Sequence, residues 1–168
     1  MISISSDELF RPAIGNKITQ IARLCVYVTG AREEIILNDS LLIYLNDARI
    51  IYCATRQDTF SIQYIKSCND AYALARSEDE EEFTICLVEA VDFRLQSVTE
   101  VWVRIETESP YIVDVILWDG DGTPRMHLRR ESDEIFVSFV DTFPKSVHER
   151  GNDSFFGTVA HIRYRMKD

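Results

Sequence analysis

Hydrophobic and polar residues alternate with a period of two along most of this chain, which predicts β-strands rather than amphipathic helices. Valine, isoleucine, threonine and aromatic residues fill the alternating segments, and these residue types favour a pleated, half-buried backbone. A first series of predicted strands comprises residues 18–28, 34–37, 41–45, 49–54 and 59–65. A second series comprises residues 82–91, 98–106, 111–118, 125–129, 134–140 and 156–166. Short polar connectors such as TGARE and TESP separate neighbouring strands, so the predicted fold is mainly β with antiparallel sheets.

The segment between the two series, residues 68–82, has a different composition. Its alanines favour a helix, and Asn69 or Asp70 can cap the first turn. We therefore predict one short helix near residues 69–78, which makes the fold α+β with a minor helix. The acidic run at the end of this segment completes the link to the second series.

The two series of strands resemble each other, which suggests an internal repeat. The apolar positions of the first strand match those of a later segment at a constant offset of 77 residues. Ile18, Ile21, Leu24, Val26 and Val28 coincide with Leu95, Val98, Val101, Val103 and Ile105. Further along, EIILNDSLLIYL lies over DVILWDGDGTPRMHL, and DTFSI lies over DEIFV.

Such a repeat would cover residues 15–66 and 92–141 and leave a C-terminal strand at residues 155–166. Two related β-meander halves would then pack with pseudo-twofold symmetry inside a single domain, residues 1–168. Because alternation alone also produces such matches, the sequence leaves repeat and coincidence as two alternatives.

The length and composition are those of one globular domain. A chain of 168 residues with 46% hydrophobic residues is long enough to bury a substantial apolar core. No apolar run approaches the roughly 20 residues of a membrane span. The N-terminus also lacks the basic and apolar regions of a signal peptide. We therefore expect a cytoplasmic protein that does not bind membranes.

The four cysteines are widely spaced, and Cys25, Cys53 and Cys86 lie within apolar runs. In a cytoplasmic protein this pattern predicts reduced, buried thiols that pack as small hydrophobic groups. Neither the cysteines nor the three histidines have the spacing of zinc ligands, so we expect no metal and no cofactor.

The charge is strongly negative and unevenly distributed. The formal net charge is −10, and residues 69–121 contain 14 acidic residues against three arginines. The remainder of the chain is nearly balanced, with 14 acidic and 15 basic residues. A negative field of this kind repels phosphates, so binding to nucleic acid is disfavoured and a basic partner is favoured.

The segment DGDGT, residues 119–123, follows the apolar run YIVDVILW. It resembles the first motif of the haloacid dehalogenase-like phosphotransferases. That resemblance implies a nucleophile at Asp119, a general acid at Asp121, a phosphate-orienting hydroxyl at Thr123 and a Mg²⁺ ion bridging carboxylate and phosphate. The family also requires a parallel sheet and later motifs, whereas the 47 residues after Asp121 have the pattern of further strands.

Two other interpretations use the same residues. D-x-D-G begins a calcium loop of the EF-hand type, but Pro124 stands where that loop needs glycine and Arg130 where it needs glutamate. Aspartate and glycine also favour the backbone conformations of a hairpin connection. We therefore predict a turn between two strands, with a magnesium-dependent phosphatase-like site at Asp119 and Asp121 as the remote alternative.

The sequence shows no assembled set of catalytic residues, so we predict a non-catalytic protein-binding module rather than an enzyme. In size and charge the chain resembles bacterial immunity proteins, and as a toxin inhibitor it would neutralise a basic toxin such as a nuclease by direct binding. The acidic candidates for partner binding are Glu78, Asp79, Glu80, Glu81, Glu82, Asp119 and Asp121. The aromatic candidates are Trp102 and Trp118. The alternative is a structural or accessory protein that forms a homodimer through open sheet edges.

Overall fold

In the part of the chain that the structure describes, two antiparallel sheets, one short α-helix and one 3-10 turn (Arg11–Ala13) make up the fold, which confirms the predicted mainly β class. The computed structural model describes residues 11–28, 33–56, 59–75, 82–89, 97–106, 112–131, 133–144 and 159–165. The first sheet contains β1 (Ile18–Val28), β2 (Glu33–Ile36), β3 (Ser40–Leu45), β4 (Ile50–Arg56), β5 (Thr59–Ile65) and β6 (Glu82–Glu89). The second sheet contains β7 (Glu100–Glu106), β8 (Ile112–Trp118), β9 (Pro124–Glu131), β10 (Glu134–Phe139) and β11 (Val159–Arg165).

Strand β1 organises the first sheet. One edge of β1 pairs with β3 around Ile21 and with β2 around Val26, so β3 and β2 follow each other along the same side. The other edge pairs with β6. Strands β4 and β5 extend the sheet beyond β3 as an antiparallel meander.

The second sheet has the same strand order. Strands β7 to β10 form a meander, and β11 returns to pair with β7, as β6 returns to β1 in the first sheet. This shared order matches β3 with β8 and β5 with β10. The sequence alignment of DTFSI with DEIFV agrees with that correspondence, whereas the middle of the alignment places β3 over β9. The internal repeat itself stays a prediction.

The main core lies between the two sheets. Because side chains alternate across a strand, each strand sends every second residue into this core. The first sheet contributes buried residues such as Ile21, Leu41, Ile43 and Ile51. The second sheet contributes Val101, Val103, Val115, Leu117, Met126 and Leu128.

Helix α1 (Cys68–Ala75) covers the outer face of the first sheet, where its apolar side chains pack on residues of β1, β3 and β4. Asp70 accepts hydrogen bonds from the main-chain amides of Lys66 and Ser67 at 3.1 and 3.2 Å. These bonds satisfy donors at the start of the helix, as in a capping box. The predicted helix is therefore present, although neither the helix nor any other helical segment of the described ranges could cross a membrane.

Arg23 joins the two sheets. Its buried guanidinium donates hydrogen bonds to the carbonyl oxygens of Asn38, Ser40 and Ile135, at 3.2, 3.1 and 2.6 Å. The amide of Ile135 donates in turn to the carbonyl oxygen of Asn38 at 2.8 Å. These bonds satisfy polar groups that water does not reach, and they fix β10 to the connection between β2 and β3.

Cys25 is disulfide-bonded, whereas Cys53 and Cys68 are free. The expectation that all the cysteines are reduced is therefore wrong at Cys25. Residue spacing could not reveal the bond, because a disulfide depends on the distance between two Cα atoms, which the fold sets.

Candidate functional site

The outer face of the second sheet differs chemically from that of the first. On the first sheet this face is apolar and lies under α1. On the second sheet it carries charged and aromatic residues at the positions that alternate with the core, and the segment 140–144 after β10 contacts it. We call this group the outer-face cluster and define it as Trp102, Arg104, Asp114, Trp118, His127 and Phe143.

A buried charged network forms the base of the outer-face cluster. Arg104 and Asp114 are opposite each other on β7 and β8, and both side chains are completely buried. Arg104 Nε donates to Asp114 Oδ1 at 2.5 Å, and Arg104 Nη2 donates to Asp114 Oδ2. His127 on β9 places Nε2 2.8 Å from the same Asp114 Oδ2. One carboxylate therefore binds two side chains from the two neighbouring strands.

The protonation of Asp114 reflects two opposing effects. Burial alone would raise the pKa of Asp114, because it disfavours the charged form. The hydrogen bonds from His127 and Arg104, together with their charges, outweigh burial and hold the pKa of Asp114 below its ordinary value. Asp114 is therefore ionised at neutral pH and compensates the charge of Arg104.

Three aromatic rings lie beside this network. The ring centroids of Trp102 and Trp118 are 5.3 Å apart. The Phe143 ring packs edge-on against Trp102, with 5.1 Å between the centroids, and lies tilted against Trp118, with 5.9 Å between the centroids. Trp102 Nε1 donates to Glu100 Oε1 at 2.5 Å. Both indoles are half-buried, whereas Phe143 is 41% exposed. The three rings therefore form an aromatic group in which Phe143 is the most exposed ring.

Arg104 connects the aromatic rings to the buried network. Its Nη1 donates to the carbonyl oxygen of Pro144 at 2.8 Å, and its guanidinium carbon lies 5.3 Å from the centroid of the Phe143 ring. The first contact holds the main chain of the segment 140–144, and the second is within the range of a cation–π interaction. Arg104 therefore positions Phe143 on the sheet surface.

The DGDGT segment is a turn that closes the β8–β9 hairpin, as the sequence predicts. Asp119 is almost completely buried, and its Oδ1 accepts the amides of Asp121 and Thr123 at 3.1 and 3.3 Å. Arg125 forms an ion pair with Asp119 and a second one with Asp121, whose carboxylate lies 3.0 Å from Arg125 Nη2. Gly122 supplies the left-handed conformation of the turn, with φ of 78°.

The two aspartates of this turn differ in exposure. The side chain of Asp121 is 59% exposed, and that of Asp119 is 7% exposed. The pKa of Asp121 is lowered to about 2, first by hydrogen bonding with Asp119, then with Thr123, and by the charge of Arg125. Both carboxylates already have partners within the hairpin. The antiparallel setting also differs from the parallel sheet that the phosphotransferase resemblance implies.

The predicted site residues fall into three groups. Trp102 and Trp118 lie together in the outer-face cluster. Asp119 and Asp121 lie together in the β8–β9 turn, paired with Arg125. The acidic run is outside the described residues for Glu78, Asp79, Glu80 and Glu81, and Glu82 is described only through its main chain, which pairs with Tyr27 at the start of β6.

Sequence reasoning missed Arg104, Asp114 and Phe143. A signal was present for the first two, because Asp114 is the single charged residue of β8 and Arg104 is a charged residue between the apolar Val103 and Ile105 of β7. A charge at such a position needs a partner on a neighbouring strand. No comparable signal marked Phe143, whose position depends on how the chain returns across the sheet after β10.

No group of three His, Cys, Asp or Glu side chains suited to holding a metal ion occurs among the described residues. No protein-family model matches the chain, and comparisons with curated proteins and with solved structures find no significant match.

Proposed function

We propose that this protein is a non-catalytic binding module that recognises another protein through the outer-face cluster. The observation that carries the proposal is the partly exposed Phe143 ring, which rests on Trp102 and Trp118 and is held by Arg104. Rigid aromatic residues of this kind supply much of the affinity of protein interfaces. The chemistry of the partner follows from the net charge of −10, which favours a basic surface.

In this proposal, affinity and association rate have different sources. Phe143 and the two indoles supply affinity, because burying them against a partner removes apolar surface from water. The run from Glu78 to Glu82 steers the partner at long range, because its charges are consecutive in the sequence. Asp119 and Asp121 contribute less steering than their number suggests, because Arg125 offsets one of their two negative charges. This separation between the source of affinity and the source of fast association is the one expected of an immunity-type inhibitor of a basic toxin, such as a nuclease.

The test is affinity capture from the native host with the tagged protein at low salt, followed by binding kinetics with the captured partner. Phe143→Ala should weaken affinity by at least tenfold, mainly through faster dissociation, as expected for an anchor worth about 2 kcal/mol. Changing Glu80, Glu81 and Glu82 to lysine should mainly slow association. Lys66→Ala, an exposed change between β5 and α1, is the control and should bind like the wild type.

Salt separates the two contributions further. Raising the ionic strength shortens the Debye length, so the association rate should fall while the dissociation rate changes little. If association is insensitive to salt, electrostatic steering is wrong. If Phe143→Ala binds the captured partner as tightly as the wild type, the outer-face cluster is not the interface.

A self-associating structural or accessory protein is the second candidate, favoured by the exposure of the same Phe143 ring. A homodimer would bury the cluster against a second copy. Sedimentation velocity distinguishes the two proposals, because a dimer that dissociates in Phe143→Ala supports self-association and a monomer supports the inhibitor.

A further inference from the structure

Strand β2 is an unusual edge strand. Its four residues are all exposed, including Ile35 at 45% and Ile36 at 47%. Successive side chains of a strand point to opposite faces, so an apolar side chain is exposed on each face of β2. Tyr27 on β1, which is opposite Glu34, adds a third exposed apolar side chain at 37%. These three residues are most of the large hydrophobic side chains that are exposed in the described part of the chain.

The main chain of β2 is paired on one side only among the described strands, where β1 is its neighbour. Leu37 N donates to Leu24 O at 2.8 Å, which fixes the hydrogen-bonding phase of the β1–β2 ladder. In an antiparallel ladder the bonded pairs alternate, so the amide and carbonyl groups of Ile35 point towards β1 and those of Ile36 point away from it. The outer edge of β2 therefore presents main-chain groups to an incoming strand.

Natural proteins usually protect an open edge with lysine, proline or a bulge. Here the strand reads Glu-Glu-Ile-Ile, which combines two carboxylates with two exposed apolar side chains. A second copy of this chain would bring the same carboxylates to the edge and a further net charge of −10. A segment with alternating basic and apolar residues would instead complement both the charge and the apolar surface.

We propose that the outer edge of β2 is a docking site for an extended, basic segment of another protein, which adds to the first sheet as a further strand. Main-chain hydrogen bonds to Ile36 supply binding, and the apolar residues of the segment cover Ile36 and Tyr27, which lie on the same face of the sheet. Lysine or arginine on the segment is placed near Glu33. This site is on the other sheet from Phe143 and does not depend on the outer-face cluster.

The test uses a synthetic peptide of alternating lysine and valine, with a peptide of alternating glutamate and valine as the charge control. Backbone amide NMR shifts and hydrogen exchange of the full chain report where the peptide binds. The lysine peptide should shift the signals of residues 33–36 and protect the outward-pointing amide of Ile36, and the glutamate peptide should bind at least tenfold more weakly. Phe143→Ala should bind the lysine peptide like the wild type, which separates this proposal from the proposed function.

Two substitutions at one position isolate the main-chain contribution. Ile36→Pro removes the isoleucine side chain and also the main-chain amide hydrogen, which points away from β1. Ile36→Ala shortens the side chain but keeps that amide hydrogen. Ile36→Pro should bind the lysine peptide several-fold more weakly than Ile36→Ala, with circular dichroism showing that both are folded. Glu33→Lys supplies a second test that leaves the main chain intact, and it should also weaken binding.

Three results would overturn the proposal. One is equal binding of the two peptides, and another is binding without protection of β2. The third is concentration-dependent protection of β2 without peptide, together with a dimer in sedimentation, which would assign the edge to a second copy.

Discussion

Arg104 and Asp114 are directly opposite each other on neighbouring strands and form an ion pair whose two side chains are completely buried. The Asp114 carboxylate also binds His127, and Arg104 also binds the carbonyl oxygen of Pro144. Such a pair gives little net stability compared with apolar residues, because both charges lose their hydration. Its geometry nevertheless fixes the segment that carries Phe143, which gives the network a positioning role.

Breaking the ion pair should be strongly destabilising. Asp114→Asn leaves the buried charge of Arg104 uncompensated, so we expect a loss of about 3 to 5 kcal/mol in the free energy of unfolding. Urea denaturation measures this loss. Asp121→Asn is the control, since the side chain of Asp121 is exposed and its loss should change stability far less than Asp114→Asn does. The double variant Arg104→Met with Asp114→Leu should recover most of the stability, and a double variant as unstable as Asp114→Asn would contradict this account.

Stability should fall in acid, and Asp114 should account for part of the fall. The folded protein holds the pKa of Asp114 below its ordinary value, so Asp114 contributes stability above the unfolded pKa of about 3.9. That contribution is lost as the pH falls through the folded pKa. Urea midpoints measured from neutral pH down to about pH 2.5 should therefore decline below about pH 4. Asp114→Asn should show a shallower decline, and an unchanged slope would show that other carboxyl groups dominate.

The two glycines of the β8–β9 turn should respond differently to alanine. Gly122 has a φ of 78°, a conformation that costs an L-residue about 1 to 2 kcal/mol, so Gly122→Ala should lower the free energy of unfolding by that amount. A Cβ atom at Gly120 would meet Thr99 Cγ2 at an ordinary 3.8 Å. Gly120→Ala should therefore change stability by less than about 0.5 kcal/mol. Thermal unfolding measures the stability of both variants. Equal losses of stability would mean that the positive φ of Gly122 is not the cause.

The cysteines should differ in reactivity and in their effect on stability. Reduction with dithiothreitol, or Cys25→Ser, should lower the free energy of unfolding by about 2 to 4 kcal/mol, because the disulfide restricts the unfolded chain. Cys53 is completely buried, and desolvation raises its pKa to about 12, so it should resist alkylation in the folded protein. Half-buried Cys68 should be alkylated first. Peptide mapping without reduction identifies which cysteines are alkylated and which are disulfide-bonded. A free thiol at Cys25 would exclude the disulfide.

The sequence alone determined where the strands lie, because the alternating pattern that predicts a strand is contained in the strand's own residues. An alternating strand such as residues 59–65 must place one face in a core, so its pattern is visible without its neighbours. The DGDGT turn was predictable on the same grounds, because aspartate and glycine favour the required backbone. The ends of β1 and β5 agree with their predicted bounds because polar connectors follow both.

The tertiary structure decided which residues of different strands meet. Trp102 and Trp118 were candidates from the sequence, but their contact depends on the register of β7 against β8. Register also places Arg104 opposite Asp114, and a slip of one residue between β7 and β8 would turn one of the two side chains to the other face of the sheet. The disulfide at Cys25 and the position of Phe143 likewise depend on distances between segments far apart in the chain. Local alternation sets the strands, whereas the candidate sites require long-range pairing, which alternation does not encode.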